Sequence, residues 1–306
     1  MKAVICTKYG PPEVLQIRDI EKPVPKTNEI LVKIMATAVN SGDVRVRALD
    51  VHGFMKFVMR LVLGITKPRK KILGTVYSGI VEQAGEGVSN FKTGDEVFGM
   101  TGFQFGTYAE YICVKGNGAV SIKPANASFD EAAAIVFGGQ TAIHFLEKAG
   151  ITKKENPTVL IIGATGAVGV AAIQIARHYK ANISAVCSSA GAELIKKLGV
   201  ENILLYDKED FTKHSKQFDI VFDAVGKTTK KQCAGLLNKE GIYKTVGGME
   251  IAAERKEQLY LLKELFEKGG YSAVIDKTFP MSEAIEAHRY VDTGRKKGNV
   301  VLKISE

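Results

Sequence analysis

The sequence predicts an α/β chain in which a doubly wound parallel sheet is joined to a partly open β-barrel. Three observations predict it. Between residues 158 and 246, apolar runs of strand length alternate with segments of helix length, as in consecutive βαβ units. The run Val159-Leu-Ile-Ile breaks into Gly163-Ala-Thr-Gly166-Ala-Val-Gly169 and resumes as an apolar segment to Arg177, which reads as strand, tight turn and helix. Residues 1 to about 125 instead carry short runs with many glycines at regular spacing, the pattern of a barrel.

In chain order, strands are expected over 31–39, 79–82, 94–99 and 107–114, each closed by turn residues. After Lys123-Pro124 the period changes. Helices are then expected over 129–148, 168–179, 192–198 and 255–268, with strands over 158–162, 183–187, 218–223 and 241–246 between them. The tail reads as strand over 272–279, helix over 281–291 and strand over 299–304, and the last strand is expected to rejoin the first domain. This divides the chain into a domain of 1–125 with 270–306 and a second domain of 126–269.

With 306 residues, 45% of them hydrophobic and 25% charged, the chain has the composition of an ordinary soluble two-domain protein. Cys6, Cys113, Cys187 and Cys233 lie far apart with no Cys-x-x-Cys, which points to reduced thiols. The opening apolar run is too short for a signal peptide, and nothing approaches the roughly 18 apolar residues of a membrane span, so a cytoplasmic protein is expected. The net charge is +9, with basic clusters at 67–71, 227–231 and 295–297. They are scattered and not interleaved with aromatics, so solvated surface outweighs a nucleic-acid footprint. The amphipathic stretch 54–63 reads as core, as a lid over an apolar pocket, or as a membrane-surface helix.

The glycine turn points to a dinucleotide. Glycines let backbone approach a phosphate, and a helix N-terminus offers unpaired N–H groups and a partial positive charge to a pyrophosphate. Gly163, Thr165, Gly166, Ala167, Val168 and Gly169 would form that cradle. The spacing is GxxGxxG rather than GxGxxG, and glycines also serve turns and packing, so context carries the assignment. The strand at 183–187 closes a βαβ unit of about 30 residues. It ends in Cys187-Ser188-Ser189 with no carboxylate, which leaves room for a 2′-phosphate and favours NADP(H) over NAD(H). Ser188 and Ser189 read equally as caps of the helix at 192–198.

Further motifs widen the picture: Ala38-Val-Asn-Ser-Gly-Asp43-Val-Arg-Val-Arg47, Gly85-Glu-Gly-Val-Ser-Asn-Phe-Lys-Thr-Gly-Asp-Glu-Val-Phe-Gly99, Gly138-Gly-Gln-Thr-Ala142, Phe222-Asp-Ala-Val-Gly226 and Lys297-Gly-Asn-Val-Val-Leu302. With them, over nearly its whole length, the chain resembles the medium-chain dehydrogenase/reductase superfamily, in its zinc-free quinone oxidoreductase branch. The resemblance implies a GroES-like catalytic domain from both ends of the chain and a Rossmann domain between them that binds NADPH. It implies that Asn40 and Thr141 sit near the nicotinamide, Tyr206 near the adenosine phosphate, Ala224 and Val225 on the cofactor, and Val246, Gly247 and Gly248 beside the nicotinamide ribose. Lys297 and Asn299 would close the site.

Zinc-bearing relatives place a ligand cysteine where Asn40 stands and Gly-His-Glu where Gly74-Thr75-Val76 stands. His52, His144, His178, His214 and His288 have no ligand spacing with one another or with the cysteines, so no metal is expected. Without a Lewis acid, a quinone or an α,β-unsaturated carbonyl is the credible hydride acceptor, because its reduced anion is delocalised and a few donors hold it. Asn40 is the first donor candidate, with Asp43 as a positioning group or turn residue. Arg45 stands where quinone-reducing relatives often carry a tyrosine, and reads as a group that polarises a carbonyl or clamps an anionic substrate, or as an exposed or ion-paired arginine. Only 249–254 intervenes where relatives run through a further sheet strand, which leaves a homodimer open. Reduction of an enoyl thioester is an alternative. An NADPH-binding regulatory or RNA-binding protein is another.

Overall fold

The computed structural model describes residues 1–50 and 54–305, with the side chains of 54–58 left aside. His52 therefore lies outside the described residues. Fourteen strands are described: β1 (Lys2–Cys6), β2 (Leu15–Asp19), β3 (Glu29–Val39), β4 (Val76–Ala84), β5 (Glu96–Met100), β6 (Tyr111–Lys115), β7 (Val120–Ile122), β8 (Thr158–Ile162), β9 (Asn182–Cys187), β10 (Asn202–Leu205), β11 (Phe218–Asp223), β12 (Leu237–Thr245), β13 (Ile275–Pro280) and β14 (Asn299–Lys303). The helices are α1 (Ser41–Ala48), α2 (Phe54–Leu63), α3 (Phe129–Lys148), α4 (Ala167–His178), α5 (Ala192–Lys197), α6 (Lys256–Glu267) and α7 (Ala284–Asp292). The residues group into two compact units. One takes Met1–Val136, Glu254–Glu267 and the segment from Ile275 onward; the other takes Phe137–Ala253 and Lys268–Val274.

The first unit is built on β3, whose eleven residues are apolar almost throughout. Irregular register at Leu31/Val32 and Ile34/Ala36 bends it against β4. Such bulges turn a strand and increase its twist, which lets one strand serve two neighbours along its other edge. Its first half pairs with β6 and its last four residues with β14, Val300 opposite Val39. The chain's last strand thus lies beside β3. Ile30, Val32, Ile34, Val81, Val97, Val300 and Leu302 fill the interior, and α7 closes it with Ala284, Ala287 and Val291. Each fully buried aliphatic side chain contributes about 1.5–3 kcal/mol relative to exposure. Within α2, Leu63 is buried, Met59 packs against this core, and Leu61 and Val62 are exposed.

The second unit is a parallel sheet in the order β10-β9-β8-β11-β12. Its central strands are largely apolar and buried because helices cover them, and in α4 every residue from Ala167 to Ala176 is buried. Strand order reverses between β8 and β11, so their carboxyl ends form the topological switch point where such sheets bind ligands. Among the described residues the sheet ends at β12, a half-exposed edge with Ile242 open to solvent, and 246–253 forms no further strand.

Several boundaries differ from expectation. The strand expected over 107–114 begins only at Tyr111, because Ala109 instead bridges to Ala3. The strand expected from 272 begins at Ile275, because Ser272 is held by the buried Gln174, whose Oε1 accepts from its amide at 2.8 Å. Strands β1, β2, β7 and β10 and helix α1 were not expected; all but α1 are five residues or fewer.

Asp219 ties β8, β11 and β12 together at their amino ends. It accepts from the Thr158 amide and hydroxyl at 2.8 Å each, from Asn238 Nδ2 at 2.6 Å, and pairs with Lys154 Nζ at 2.6 Å. Burial alone would raise its pKa, but the bonds from Lys154, Thr158 and Asn238 win and hold it below the usual carboxylate range. The folded state therefore binds this proton less readily than the unfolded chain, so the stabilisation is present above about pH 4 and is lost as pH falls below it. Asp219→Asn is expected to cost about 2 kcal/mol at pH 7. Urea midpoints of the two proteins should converge as pH is lowered; a constant gap down to the acid limit would count against this role.

Candidate functional site

All five strands of the parallel sheet end at one edge, and the segments that leave it carry most of the residues singled out from the sequence. Gly163 follows β8 with φ +74°, a left-handed conformation, and a Cβ there would collide with Val225. At Gly169 a Cβ would strike the backbone of Gly163 and Ala164, so its bareness lets α4 lie close on the turn. Gly166 is different. It is the N-cap of α4 in ordinary extended conformation, φ −75° and ψ 170°, with no side-chain cap, and nothing nearer than the Gly163 oxygen, 3.6 Å away, would meet a Cβ. The amides of Ala167, Val168 and Gly169 thus open the helix without a protein carboxylate or hydroxyl capping them. A pyrophosphate fits such an end through N–H donation and the helix dipole.

Cys187, Ser188 and Ser189 leave β9 at the same edge, and Tyr206 is brought to them by its amide bond to the Cys187 carbonyl at 3.1 Å. Tyr206 is 57% exposed, so it is not a core aromatic. Neither serine caps α5, whose N-cap is Gly191 without a side-chain bond. The expectation that no carboxylate stands at this strand end is corrected by the structure. Asp207, carried in by β10, accepts the Ser189 amide at 2.8 Å on Oδ1 and the Ser189 hydroxyl at 2.7 Å on Oδ2. These two bonds hold the Asp207 carboxyl below its ordinary pKa.

Ala224 and Val225 follow β11, where the fully buried Asp223 organises the turn. Its Oδ1 accepts the amides of Val225 at 3.1 Å and Gly226 at 2.9 Å, and its Oδ2 accepts the Thr228 amide at 2.7 Å and hydroxyl at 2.8 Å. Val246 is tied to the same turn by its amide bond to the Asp223 carbonyl at 3.1 Å, and Gly247 and Gly248 follow it, exposed. Beyond them the short segment is tethered by Glu250, which pairs with Lys244 at 2.8 Å and with His144 Nε2 at 3.2 Å. His144 Nδ1 accepts from the Ala253 amide, so Nε2 carries the hydrogen facing Glu250. Thr141, one turn earlier on α3, donates its hydroxyl to the Phe137 carbonyl at 2.7 Å.

The remaining candidates lie in the first unit. Asn40 caps α1 in a closed capping box: its Oδ1 accepts the amides of Gly42 and Asp43, and Asp43 Oδ2 accepts the Asn40 amide at 3.0 Å. Asn40 Nδ2 donates to Thr75 Oγ1 at 2.9 Å, which leaves one amide hydrogen beyond that bond. Asp43 is fully buried, and burial pushes its pKa up to about 7 against the bond from Asn40. It holds Asn40 rather than facing solvent. Arg45 points to the exposed face of α1, whereas Arg47 is 2% exposed and pairs with Asp292 at 2.8 Å. The β3–β14 ladder ends at Val39 and Val300, so the next residues along it are Asn40 and Asn299. Asn299 is 7% exposed, and the Lys297 amide donates to Asp276 Oδ2 at 2.8 Å.

Three residues, Asp223 and Asp207 in the second unit and Glu254 in the first, escaped the sequence reading. Asp223 carried a readable signal, an aspartate followed at two to five residues by Val-Gly and Thr228, the pattern of a side chain bonding its own turn. Asp207 carried none, because its partner lies eighteen residues away. Glu254 packs its carboxylate against Gly102, and burial raises its pKa. Among the described residues no three His, Cys, Asp or Glu side chains are grouped so as to hold a metal ion, and no helix is long and apolar enough to cross a membrane.

Comparison with known proteins agrees with this architecture. Residues 26–124 match the alcohol dehydrogenase GroES-like domain family, and residues 167–269 and 248–302 match two zinc-binding dehydrogenase families. The chain is 33% identical over 319 residues to 2-methylene-furan-3-one reductase of Solanum lycopersicum, covering 99% of this chain and 79% of that protein. It is 28% identical to the chloroplastic NADPH-dependent alkenal/one oxidoreductase of Arabidopsis thaliana, covering 99% of this chain and 79% of that protein. The structure of the quinone oxidoreductase from Coxiella burnetii superposes with a TM-score of 0.89 at 29% identity, covering 100% of this chain and 99% of that one. The chain therefore belongs to the medium-chain dehydrogenase/reductase superfamily of nicotinamide-dependent oxidoreductases, in its quinone oxidoreductase branch.

Proposed function

We propose that this chain is a zinc-independent, NADP(H)-dependent oxidoreductase of the cytoplasm that reduces quinones or α,β-unsaturated carbonyls. The observation that carries the cofactor half is the uncapped N-terminus of α4 at the switch point, with Gly166 leaving space before it. The relatives named for NADPH-dependent alkenal reduction and for quinone reduction support the substrate half. When bound, the dinucleotide supplies the hydride. The chain's own contribution is a fixed donor: Asn40 is locked by the capping box and by Thr75, and its remaining amide hydrogen would meet the oxyanion that develops on the acceptor. Asp43 positions that amide, and Arg45 on the exposed face of α1 is the candidate to attract an anionic acceptor. Among the described residues no metal-ligand set accompanies Asn40, which suits acceptors whose reduced form spreads its charge.

The test is NADPH and NADH oxidation against ortho- and para-quinones, 2-alkenals and a crotonyl thioester, with and without a chelator. Turnover on quinone or alkenal that survives the chelator is expected. Loss of that turnover on chelation would overturn zinc independence. Dinucleotide binding without any acceptor reduced would move a regulatory or RNA-binding role forward, and thioester-only turnover would reassign the substrate. Size-exclusion with light scattering reports whether the exposed β12 edge leaves the protein monomeric or dimeric.

A further inference from the structure

In a sheet of this order, the end of the second strand faces the adenosine ribose, and an acid there accepts from the 2′-hydroxyl. Strand β9 carries serines at that place, but the neighbouring strand delivers the acid. The pairing of Leu205 with Cys187 and the bond from the Tyr206 amide to the Cys187 carbonyl fix where Asp207 emerges. Its two oxygens then take both hydrogens that Ser189 has to give, one from the amide and one from the hydroxyl. The serine read from the sequence as a donor to a 2′-phosphate is committed to a carboxylate of its own chain.

We propose that Asp207 sets the choice between phosphorylated and unphosphorylated nicotinamide dinucleotide, by placing a carboxylate at the adenosine-ribose end and keeping the Ser189 donors on itself. The inference rests on the dinucleotide reading above and refines it. A phosphate monoester carries between one and two negative charges near neutral pH and is repelled by that carboxylate. A bare 2′-hydroxyl, by contrast, is a donor that meets an acceptor. Asp207 thus weakens the preference for NADPH without reversing it, and narrows the gap to NADH.

The experiment measures equilibrium binding of NADPH and NADH to the full chain and to Asp207→Asn, Asp207→Ala and Ser189→Ala. The Asn variant keeps an acceptor for the Ser189 hydroxyl while removing the charge, and Asp207 is exposed, so folding does not depend on it. NADPH binding is expected to tighten about tenfold in Asp207→Asn at low salt, with NADH changed less than about twofold. The gain should shrink at high salt, which a purely structural effect would not do. Ser189→Ala, which keeps the charge, should not tighten NADPH. An NADPH-to-NADH ratio unchanged in both Asp207 variants would overturn the inference while leaving the dinucleotide reading intact. A wild-type chain that binds neither dinucleotide would overturn both. A wild-type preference for NADH that reverses in Asp207→Asn would support Asp207 as the selector and overturn the NADP(H) assignment.

Discussion

Asp223→Ala is expected to lower stability by about 3 kcal/mol and to weaken dinucleotide binding at least tenfold. The carboxylate is fully buried and accepts from Val225, Gly226 and twice from Thr228, so its removal strands three backbone amides in a partly buried turn. Hydrogen bonds to a charged group contribute about 1.5–3 kcal/mol each, and some of that is recovered when water reaches the opened turn. The effect on binding follows from place rather than contact. The turn leaves β11 at the switch point, Val246 is bonded to it, and Val225 packs against the position of Gly163. Loosening it therefore loosens three segments of the candidate cradle at once. Denaturant midpoints and a dinucleotide titration check this; a loss below about 0.5 kcal/mol would show that the turn holds itself.

Gly166→Asp is expected to do the opposite to stability and worse to binding. The position is the N-cap of α4, its backbone is in a region open to any residue, and a Cβ would meet no atom closer than 3.6 Å. Aspartate is among the best N-caps, and its charge complements the helix dipole, so the fold should gain about 0.5 kcal/mol. The same carboxylate would take the amides that a pyrophosphate needs and repel its charge, so affinity should fall about 100-fold. Stability rising while binding collapses would separate a ligand site from a packing motif. Unchanged dinucleotide affinity would mean that the glycine turn serves helix packing alone.

The parts of the site that were legible in the sequence are those encoded locally. The turn at Gly163, Gly166 and Gly169 was readable because the three glycines stand at a fixed short spacing between an apolar strand and an apolar helix. Asn40 and Asp43 were readable as a pair by the family resemblance, and their three-residue spacing also spells a capping box. That box explains why α1 forms at all, since Val44, Val46 and Gly42 are poor helix formers and give no periodic apolar face. Strand β10 was missed because four residues give too short a run to reveal a period, and its place depends on pairing with β9. That Arg47 rather than Arg45 is the inward arginine was beyond the sequence, because both lie on one short helix and only the pairing of Arg47 with Asp292 decides which turns inward.

Legible from the residues alone were the α/β class, the order of most strands and helices, the glycine turn at the head of α4 and the absence of an acid on β9 itself. These are properties of composition and of short periods, and the physics behind them acts within one turn or one strand. Packing was needed to show that Asp207 reaches Ser189, that Val300 lies opposite Val39 at the end of the β3–β14 ladder, and that one buried aspartate holds the turns after β11 and β12. Each of these joins residues far apart in the chain. Their meeting depends on strand order and register, which are settled by the packing of a whole sheet and by no local run of residues.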